Sequence, residues 1–183
     1  MTTRASDTNP RHGSTDIEIV ERDYDHPDAV ELVRALFDEQ VERYGYADPA
    51  DADPRTYQPP DGLFIVAYQA GGPVACGGYR PYAPDTATIE IKKMYTVPHL
   101  RDHGIGKMII TYLEGHARRH GARWAILETG VRNHGALALY QHGGYEPTDR
   151  YVPGRDPAIN RAFIKELASA EQPRTRALRT NAR

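Results

Sequence analysis

Cysteine and long apolar runs are scarce in this chain of 183 residues. The single cysteine, Cys76, cannot form an internal disulfide or supply a cysteine-rich metal site. His116 and His120 lack a third ligand, so we interpret them as a solvated helix face rather than a metal site. No stretch approaches the roughly 18 consecutive apolar residues of a membrane span, and the first residues lack the apolar run of a secretory signal. We therefore predict a cytoplasmic protein with no membrane partner.

An excess of positive charge is also lacking. The 23 Lys and Arg residues stand against 25 Asp and Glu residues, for a formal net charge of -2. No general basic field is therefore available to attract nucleic acid, and we predict no nucleic-acid partner. With 39% hydrophobic and 26% charged residues, the composition is typical of a water-soluble globular domain.

Only the two ends of the chain lack apolar patterning. Residues 1–15 are rich in small polar residues and residues 169–183 are rich in arginine, so we predict a disordered N-terminal tail and a flexible C-terminal tail. Residues 16–168 then form a single domain. Apolar spacing in this range predicts the order β, α, loop, β, β, β, α, β, α, β, β. This order indicates an α/β (α+β) fold with an antiparallel first half and a later crossover.

The segment after the predicted strand at 86–97 carries the clearest chemical signal. Arg101, Gly104 and Gly106 stand in a turn that opens an amphipathic helix near Ile105. Glycines at a helix start let backbone N–H groups approach an anion, and the helix terminus adds partial positive charge. The turn therefore predicts a phosphate site, although close packing of the helix on the strand would explain the glycines equally well.

Two other phosphate-binding motifs do not fit this turn. A Walker loop requires Ser or Thr after its lysine, whereas Met108 follows Lys107. A dinucleotide-binding turn requires a third glycine, and Ile109 occupies that position. Both nucleotide-binding classes are therefore excluded on spacing.

The same residues resemble the GNAT N-acetyltransferase superfamily, which uses acetyl-CoA. The turn matches the family signature Arg/Gln-x-x-Gly-x-Gly/Ala, and the segments 94–98, 127–130 and 133–145 add further motifs in the family order. The resemblance is strongest over residues 86–146. It implies the GNAT fold, a mixed and mostly antiparallel twisted sheet of about seven strands, flanked by helices and with splayed central strands.

The resemblance further implies acetyl-CoA as the cofactor and assigns residues to its binding. The pantetheine would pair with backbone in the gap between the splayed strands, and the pyrophosphate would lie on the amides of the glycine turn. A backbone N–H near Tyr95 or Val97 would stabilise the oxyanion that forms at the thioester. The implied cofactor-binding residues are Met94, Tyr95, Thr96, Val97, Arg101, Asp102, His103, Gly104, Ile105, Gly106, Lys107, Asn133 and Ala136.

The resemblance also implies one general acid and one general base. Tyr140 falls where many family members place a phenol near the departing sulfur, so it is the predicted acid. Glu90 lies eleven residues before Arg101, which is the spacing of the catalytic glutamate in histone-acetylating relatives. Glu128, on the neighbouring predicted strand, is the second candidate for the base.

Strand alternation favours Glu90 over Glu128 as the general base. Glu90, Lys92 and Met94 would share one face of the predicted strand, so Glu90 could line the cleft and act directly or through a water. Structural alternatives remain for each residue. A surface ion pair with Lys92 would explain Glu90, and a place in the helix core would explain Tyr140.

We expect the acceptor to be a primary amine of a small molecule, such as an amino acid, a polyamine or an amine-bearing natural product. The acidic loop at 46–61 would attract a cationic amine, although solvated turn residues would explain it equally well. Five tyrosines could wall the acceptor pocket, namely Tyr46, Tyr57, Tyr79, Tyr82 and Tyr151. The alternatives are a protein N-terminal or lysine acetyltransferase and a non-catalytic acyl-CoA-binding regulatory module. A homodimer is expected only because many family members are dimers.

Overall fold

The computed structural model describes residues 16–48, 51, 53–82 and 85–167, so both predicted tails lie outside it. Within these ranges the predicted order of elements is confirmed. The strands are β1 (Ile17–Glu21), β2 (Leu63–Gln69), β3 (Gly72–Tyr82), β4 (Asp85–Thr96), β5 (Trp124–Gly130), β6 (Glu146–Thr148) and β7 (Asn160–Glu166). The α-helices are α1 (Pro27–Tyr44), α2 (Ile105–Arg119) and α3 (His134–His142). None of these described helices is long and apolar enough to cross a membrane.

The strands form one seven-stranded sheet in the order β1-β2-β3-β4-β5-β7-β6. Every neighbouring pair is antiparallel except β4 and β5, which are parallel. The predicted mixed, mostly antiparallel sheet is therefore confirmed. The parallel pair is short, because it joins only residues 88–90 to residues 124–126.

A bulge in β4 accompanies the end of this pairing. Cys76 of β3 is paired with Tyr95, but Gly78 is paired with Lys92, so β4 contains one residue more than β3 between the two pairs. Lys93 in this interval has a φ of +58°, a conformation that side-chain-bearing residues rarely adopt. Such a bulge bends its strand and increases the local twist. No described residues of β4 and β5 are paired beyond Glu90 and Ile126, so the predicted splay of the central strands is found here.

The bulge also shifts the alternation of side chains along β4. A Cβ atom on Gly77 would lie 2.6 Å from the sulfur of Met94 and 2.8 Å from Cγ2 of Ile109, so Met94 packs toward α2. The expectation that Glu90, Lys92 and Met94 share one face is therefore wrong, because the extra residue places Met94 on the opposite face.

Apolar side chains cover both faces of the sheet. Along β2, Leu63 and Ile65 belong to the cluster packed under α2, whereas Phe64 and Val66 belong to the cluster packed under α1. This alternation is that of a strand buried on both faces. Cys76 is fully buried in the α1 cluster, as predicted for a small core residue.

The histidine pair on α2 differs from the prediction. His116 is 9% exposed, and its Nδ1 lies 2.8 Å from the hydroxyl of Tyr79 on β3. Its ring stacks on that of His120 with centroids 4.1 Å apart. The prediction of a solvated face is wrong for His116, because this side of α2 faces the sheet. Within the described ranges, no group of three or more His, Cys, Asp or Glu residues could hold a metal ion.

An ion network ties the loop between α1 and β2 to the sheet. Asp51 accepts hydrogen bonds from Arg80 at 2.7 Å and Tyr57 at 2.9 Å, and it lies 3.2 Å from the ammonium of Lys93. Burial would raise the pKa of the Asp51 carboxyl, but Lys93, Tyr57 and Arg80 together hold this pKa below its ordinary value. The Lys93 side chain is only 4% exposed, so Asp51 is its main compensation.

We expect Asp51→Ala to lower the free energy of unfolding by about 3–5 kcal/mol, because the Lys93 cation would stay buried without its carboxylate. The measurement is urea unfolding at neutral pH. The Asp51 pKa is depressed in the folded protein. Its contribution is therefore present above the unfolded value of 3.8 and disappears as the pH falls through the folded value. The difference between variant and wild type should shrink accordingly in acid.

Asp53→Ala is the matched control in the same loop. Asp53 is exposed, pairs with the exposed Arg55 and caps the short turn at residues 54–57, so this substitution should lower the free energy of unfolding only slightly, well below the effect of Asp51→Ala. Equal midpoints for Asp51→Ala and the wild type would show that the buried network does not hold the loop.

Candidate active site

Two neighbouring cavities follow the gap between β4 and β5. The large cavity, of about 530 Å³, lies beside residues 94–96 of β4 and extends to α2 and α3. The small cavity, of about 100 Å³, lies beside residues 91–93 of β4 and 128–130 of β5. Leu36 of α1 lines both cavities. Two cavities thus lie along the diverging strands, with Leu36 in the wall of each.

The first turn of α2 faces the large cavity. Gly104, at the N-cap, has a φ of +80° and makes no side-chain cap hydrogen bond. The N–H groups of Ile105, Gly106 and Lys107 have no acceptor within the helix, as at any helix start. A Cβ atom on Gly106 would lie 3.3 Å from Cδ2 of Leu139 on α3. The amides of this turn are thus accessible, although the space beside Gly106 is narrow. The turn is suited to an anion that accepts backbone hydrogen bonds.

Basic side chains predominate around the large cavity. They are Arg43, Arg101, Lys107, Arg132, His134 and His142, against the acidic Glu39 and Asp102. Arg101 also fixes the loop before α2, because it donates to the carbonyl of Thr96 at 2.9 Å and pairs with Glu39 of α1. Its guanidinium lies 5.6 Å from the ring centre of Tyr95. The negative charge of a ligand with several phosphate groups would be complementary to these basic side chains.

All of the predicted cofactor-binding residues line the large cavity except Val97 and His103. The ring of His103 is instead turned to the carbonyl of Arg101, 2.7 Å away. The N–H of Val97 donates to the carbonyl of Val74 at 2.9 Å, so it is engaged within the sheet. The prediction of an available N–H at Val97 is therefore wrong.

Thr96 has the opposite orientation from Val97. Successive amides of an extended strand point to opposite edges, so the amide of Thr96 faces away from β3. Its carbonyl accepts from Arg101 on that same side. The Thr96 amide therefore faces the gap between β4 and β5, whereas the sequence indicated an amide near Tyr95 or Val97.

Tyr140 of α3 and Asn133 at the N-cap of α3, both predicted site residues, contribute to the wall of the large cavity. Tyr140 is 4% exposed and packs edge-on against Tyr145 with ring centres 5.7 Å apart. Burial raises the pKa of the Tyr140 phenol, so the hydroxyl stays protonated at neutral pH. Asn133 caps α3, because its Oδ1 accepts from the N–H of Ala136 at 3.4 Å. The amide nitrogen of the Asn133 side chain remains for a ligand.

Glu90 lies outside both cavities, contrary to the prediction. Its carboxylate accepts from Arg80 at 2.8 Å and from Tyr151 at 3.1 Å, and the ammonium of Lys92 lies 3.5 Å away. The side chain is 6% exposed. The expectation that Glu90 lines the cleft is wrong, because the buried ion network engages both of its oxygens.

Glu128 lines the small cavity. One of its oxygens, Oε2, accepts from Arg155 at 3.1 Å, whereas Oε1 is buried and has no hydrogen-bond partner among the described residues. Burial raises the pKa of this carboxyl above its ordinary value, and the charges of Arg155 and Lys92 only partly oppose the rise. Glu128 therefore combines a free oxygen with an increased proton affinity.

Sequence reasoning missed Arg155. It lies in the irregular segment between β6 and β7, where no periodicity or motif singles it out. Its guanidinium binds both oxygens of Asp48 and one oxygen of Glu128. Burial would raise the pKa of Asp48, but the contacts with Arg155 hold it below its ordinary value. Asp48 is therefore engaged inside the protein, and it is not free to attract an amine as the acidic-loop hypothesis supposed.

One face of α1 completes the small cavity. Leu36, Gln40 and Tyr44, each four residues apart, all line it. A Cβ atom on Gly130 would lie 2.2 Å from the Tyr44 hydroxyl, so only glycine at the end of β5 allows this approach. Of the five tyrosines predicted to wall the acceptor pocket, only Tyr46 lines the cavity.

Comparisons with known proteins bear on the family and the fold. Residues 33–145 match the sequence model of the acetyltransferase (GNAT) family. An IAA acetyltransferase of Azospirillum brasilense is 35% identical over 127 residues, which are 65% of this chain and 81% of the relative. The uncharacterised N-acetyltransferase YjgM of Escherichia coli is 33% identical over 108 residues, 58% of this chain and 65% of the relative. A PaiA N-acetyltransferase of Thermoplasma acidophilum, solved in complex with coenzyme A, shares the fold. Its TM-score is 0.66 at 17% identity, covering 82% of this chain and 99% of that one.

Proposed function

This chain belongs to the acetyltransferase (GNAT) family, and on that premise we propose that it moves the acetyl group of acetyl-CoA to the primary amine of a small molecule. Family membership establishes an N-acetyltransferase with acetyl-CoA as its donor. The single observation that carries the proposal is the pair of cavities along the splayed strands. The large one lies beside the glycine turn and the small one beside Glu128.

The large cavity suits the donor. The open amides of the first α2 turn and the basic rim match the phosphates of coenzyme A, and Gly106 keeps the turn free of a side chain that would crowd Leu139. Acetyl-CoA supplies an activated acetyl group as a thioester. The Thr96 N–H would donate a hydrogen bond to negative charge on the acetyl oxygen. The donor and the acceptor would meet near Leu36, which lines both cavities.

The transfer needs a base for the amine and an acid for the sulfur. A nitrogen–carbon bond forms as the carbon–sulfur bond breaks, the amine loses a proton and the departing thiolate gains one. We assign the base to Glu128, because its free oxygen lies in the small cavity. Its raised pKa suits exchange of a proton with the amine. Glu90 is the weaker candidate, because Arg80 and Tyr151 occupy its oxygens.

Tyr140 is the proposed acid. It lines the large cavity, and its phenol stays protonated at neutral pH because burial raises its pKa. Its ring packs against Tyr145 and Phe163, and its hydroxyl would donate the proton to the departing sulfur.

The small cavity favours a small acceptor over a polypeptide. Its volume is about 100 Å³, and the pairing of Arg155 with Asp48 forms part of its wall. A protein acetyltransferase stays the alternative, which a peptide panel tests. A non-catalytic module is disfavoured by the presence of Glu128, Tyr140 and the complete glycine turn. The homodimer, the cytoplasmic location and the absence of a nucleic-acid partner stay predictions.

We expect Glu128→Gln to lower kcat by about 100-fold or more, because a positioned base contributes this much. The measurement is release of CoA thiol with a panel of small amines across pH. The base acts only when deprotonated, and burial raises its pKa above the ordinary 4.5, so wild-type activity should rise as the pH rises through the raised value. The variant should lack this acidic limb.

Glu146→Gln is the matched control, because Glu146 is exposed on β6 and lines neither cavity. It should keep the wild-type rate and pH profile. A fully active Glu128→Gln protein together with an inactive Glu90→Gln protein would move the role of base to Glu90.

We expect Tyr140→Phe to lower kcat by about 100-fold or more while acetyl-CoA binding is retained, because phenylalanine preserves the ring packing but has no proton to donate. Turnover is measured by CoA release and binding by calorimetry. Tyr145→Phe is the control, since this neighbouring buried phenol lines neither cavity. Full kcat for Tyr140→Phe across pH would contradict the assignment of the acid.

A further inference from the structure

Three buried polar atoms without partners surround the small cavity. They are Oε1 of Gln40, the hydroxyl of Tyr44 and Oε1 of Glu128, and none has a hydrogen-bond partner among the described residues. All three residues line the cavity. Buried polar atoms in folded proteins are nearly always hydrogen-bonded, so three unpartnered acceptors around one cavity favour a ligand that donates hydrogen bonds.

A protonated primary amine matches these three atoms. An ammonium group carries three N–H donors and no acceptor. The amide oxygen of Gln40 and the carboxylate of Glu128 only accept, and the hydroxyl of Tyr44 can accept as well. The Glu128 side chain is 10% exposed, so a hydrogen bond to its charge would be only weakly screened by solvent. The number and type of these acceptors thus match the three donors of one ammonium group.

The same cavity contains a cation with unused donors. The ammonium of Lys92 lies 3.5 Å from Oε1 of Glu90 and makes no hydrogen bond to any described residue. The other two lining cations are closer to carboxylates, Lys93 at 3.2 Å and Arg155 at 3.1 Å. Lys92 is 18% exposed, so it is largely removed from water. An anionic group on the ligand would complete its coordination.

We infer that the acceptor carries a carboxylate next to its primary amine, as an α-amino acid does. The ammonium group lies on Gln40, Tyr44 and Glu128, and the carboxylate lies on Lys92. The inference rests on the proposed function and names its substrate class. The small volume of the cavity, about 100 Å³, favours a ligand in which the two groups are close together. A polyamine is disfavoured, because its second ammonium would face Lys92.

The test compares three acceptors with the same side chain: an α-amino acid, its carboxamide and the corresponding decarboxylated amine. A diamine is added to the panel, and kcat/KM is measured by CoA release. The wild-type protein should prefer the amino acid over the other two by about 10- to 100-fold, the value of a charge-assisted hydrogen bond. This comparison needs no variant. Equal use of the three acceptors, or preference for the diamine, would overturn the inference and leave the proposed function standing.

Lys92→Met then tests the assigned cation. Methionine keeps an unbranched chain without charge, so the ratio of kcat/KM for amino acid over carboxamide should fall to near one. Lys165→Met is the control, because its ammonium pairs with Glu114 at 2.6 Å and lines neither cavity. It should keep the wild-type ratio. An unchanged ratio in Lys92→Met would overturn the role of Lys92, and no acetylation of any amine would overturn the proposed function itself.

Discussion

The short parallel pairing of β4 with β5 is the constraint on which the whole site depends. The strands are joined only through residues 88–90 and 124–126, and a bulge at Lys93 follows in β4. Strands that remained paired would satisfy each other's amides and leave no gap. The divergence leaves the Thr96 amide facing the gap and opens space for both cavities beside Leu36. The early end of this pairing thus leaves a cleft within the sheet.

Buried charges fix the end of this cleft at which the acceptor is proposed to bind. Asp51 and Glu90 share Arg80, and Arg155 joins Asp48 to Glu128. Buried ion pairs add little net stability, but removal of one partner is strongly destabilising, so such a network holds its members in one arrangement. Within this network both carboxylate oxygens of Glu90 accept hydrogen bonds, whereas Glu128 keeps one oxygen free in the small cavity.

Periodicity and the glycine turn predicted the order of elements and most of the large cavity, because these features are local in sequence. The small cavity was harder to predict. The positive φ of Lys93 is not indicated by any local sequence pattern. Regular strand alternation therefore places Glu90 on the same face as Met94 and favours Glu90 over Glu128. Arg155 comes from an irregular segment, and its partner Asp48 is 107 residues away. Charge pairing over such separations is decided by tertiary packing and leaves no pattern in the sequence.

The thermal stability of the protein with acetyl-CoA tests most directly that the donor occupies the gap between β4 and β5. At about 100 times Kd, binding should add about 2.7 kcal/mol, or roughly 5 to 11 °C in Tm for a domain of this size. CoA should act similarly and NAD should not. Gly106→Val should lose the shift, because its side chain would enter the narrow space before Leu139. No shift of the wild-type protein at saturating acetyl-CoA, or a full shift in Gly106→Val, would contradict this placement of the donor.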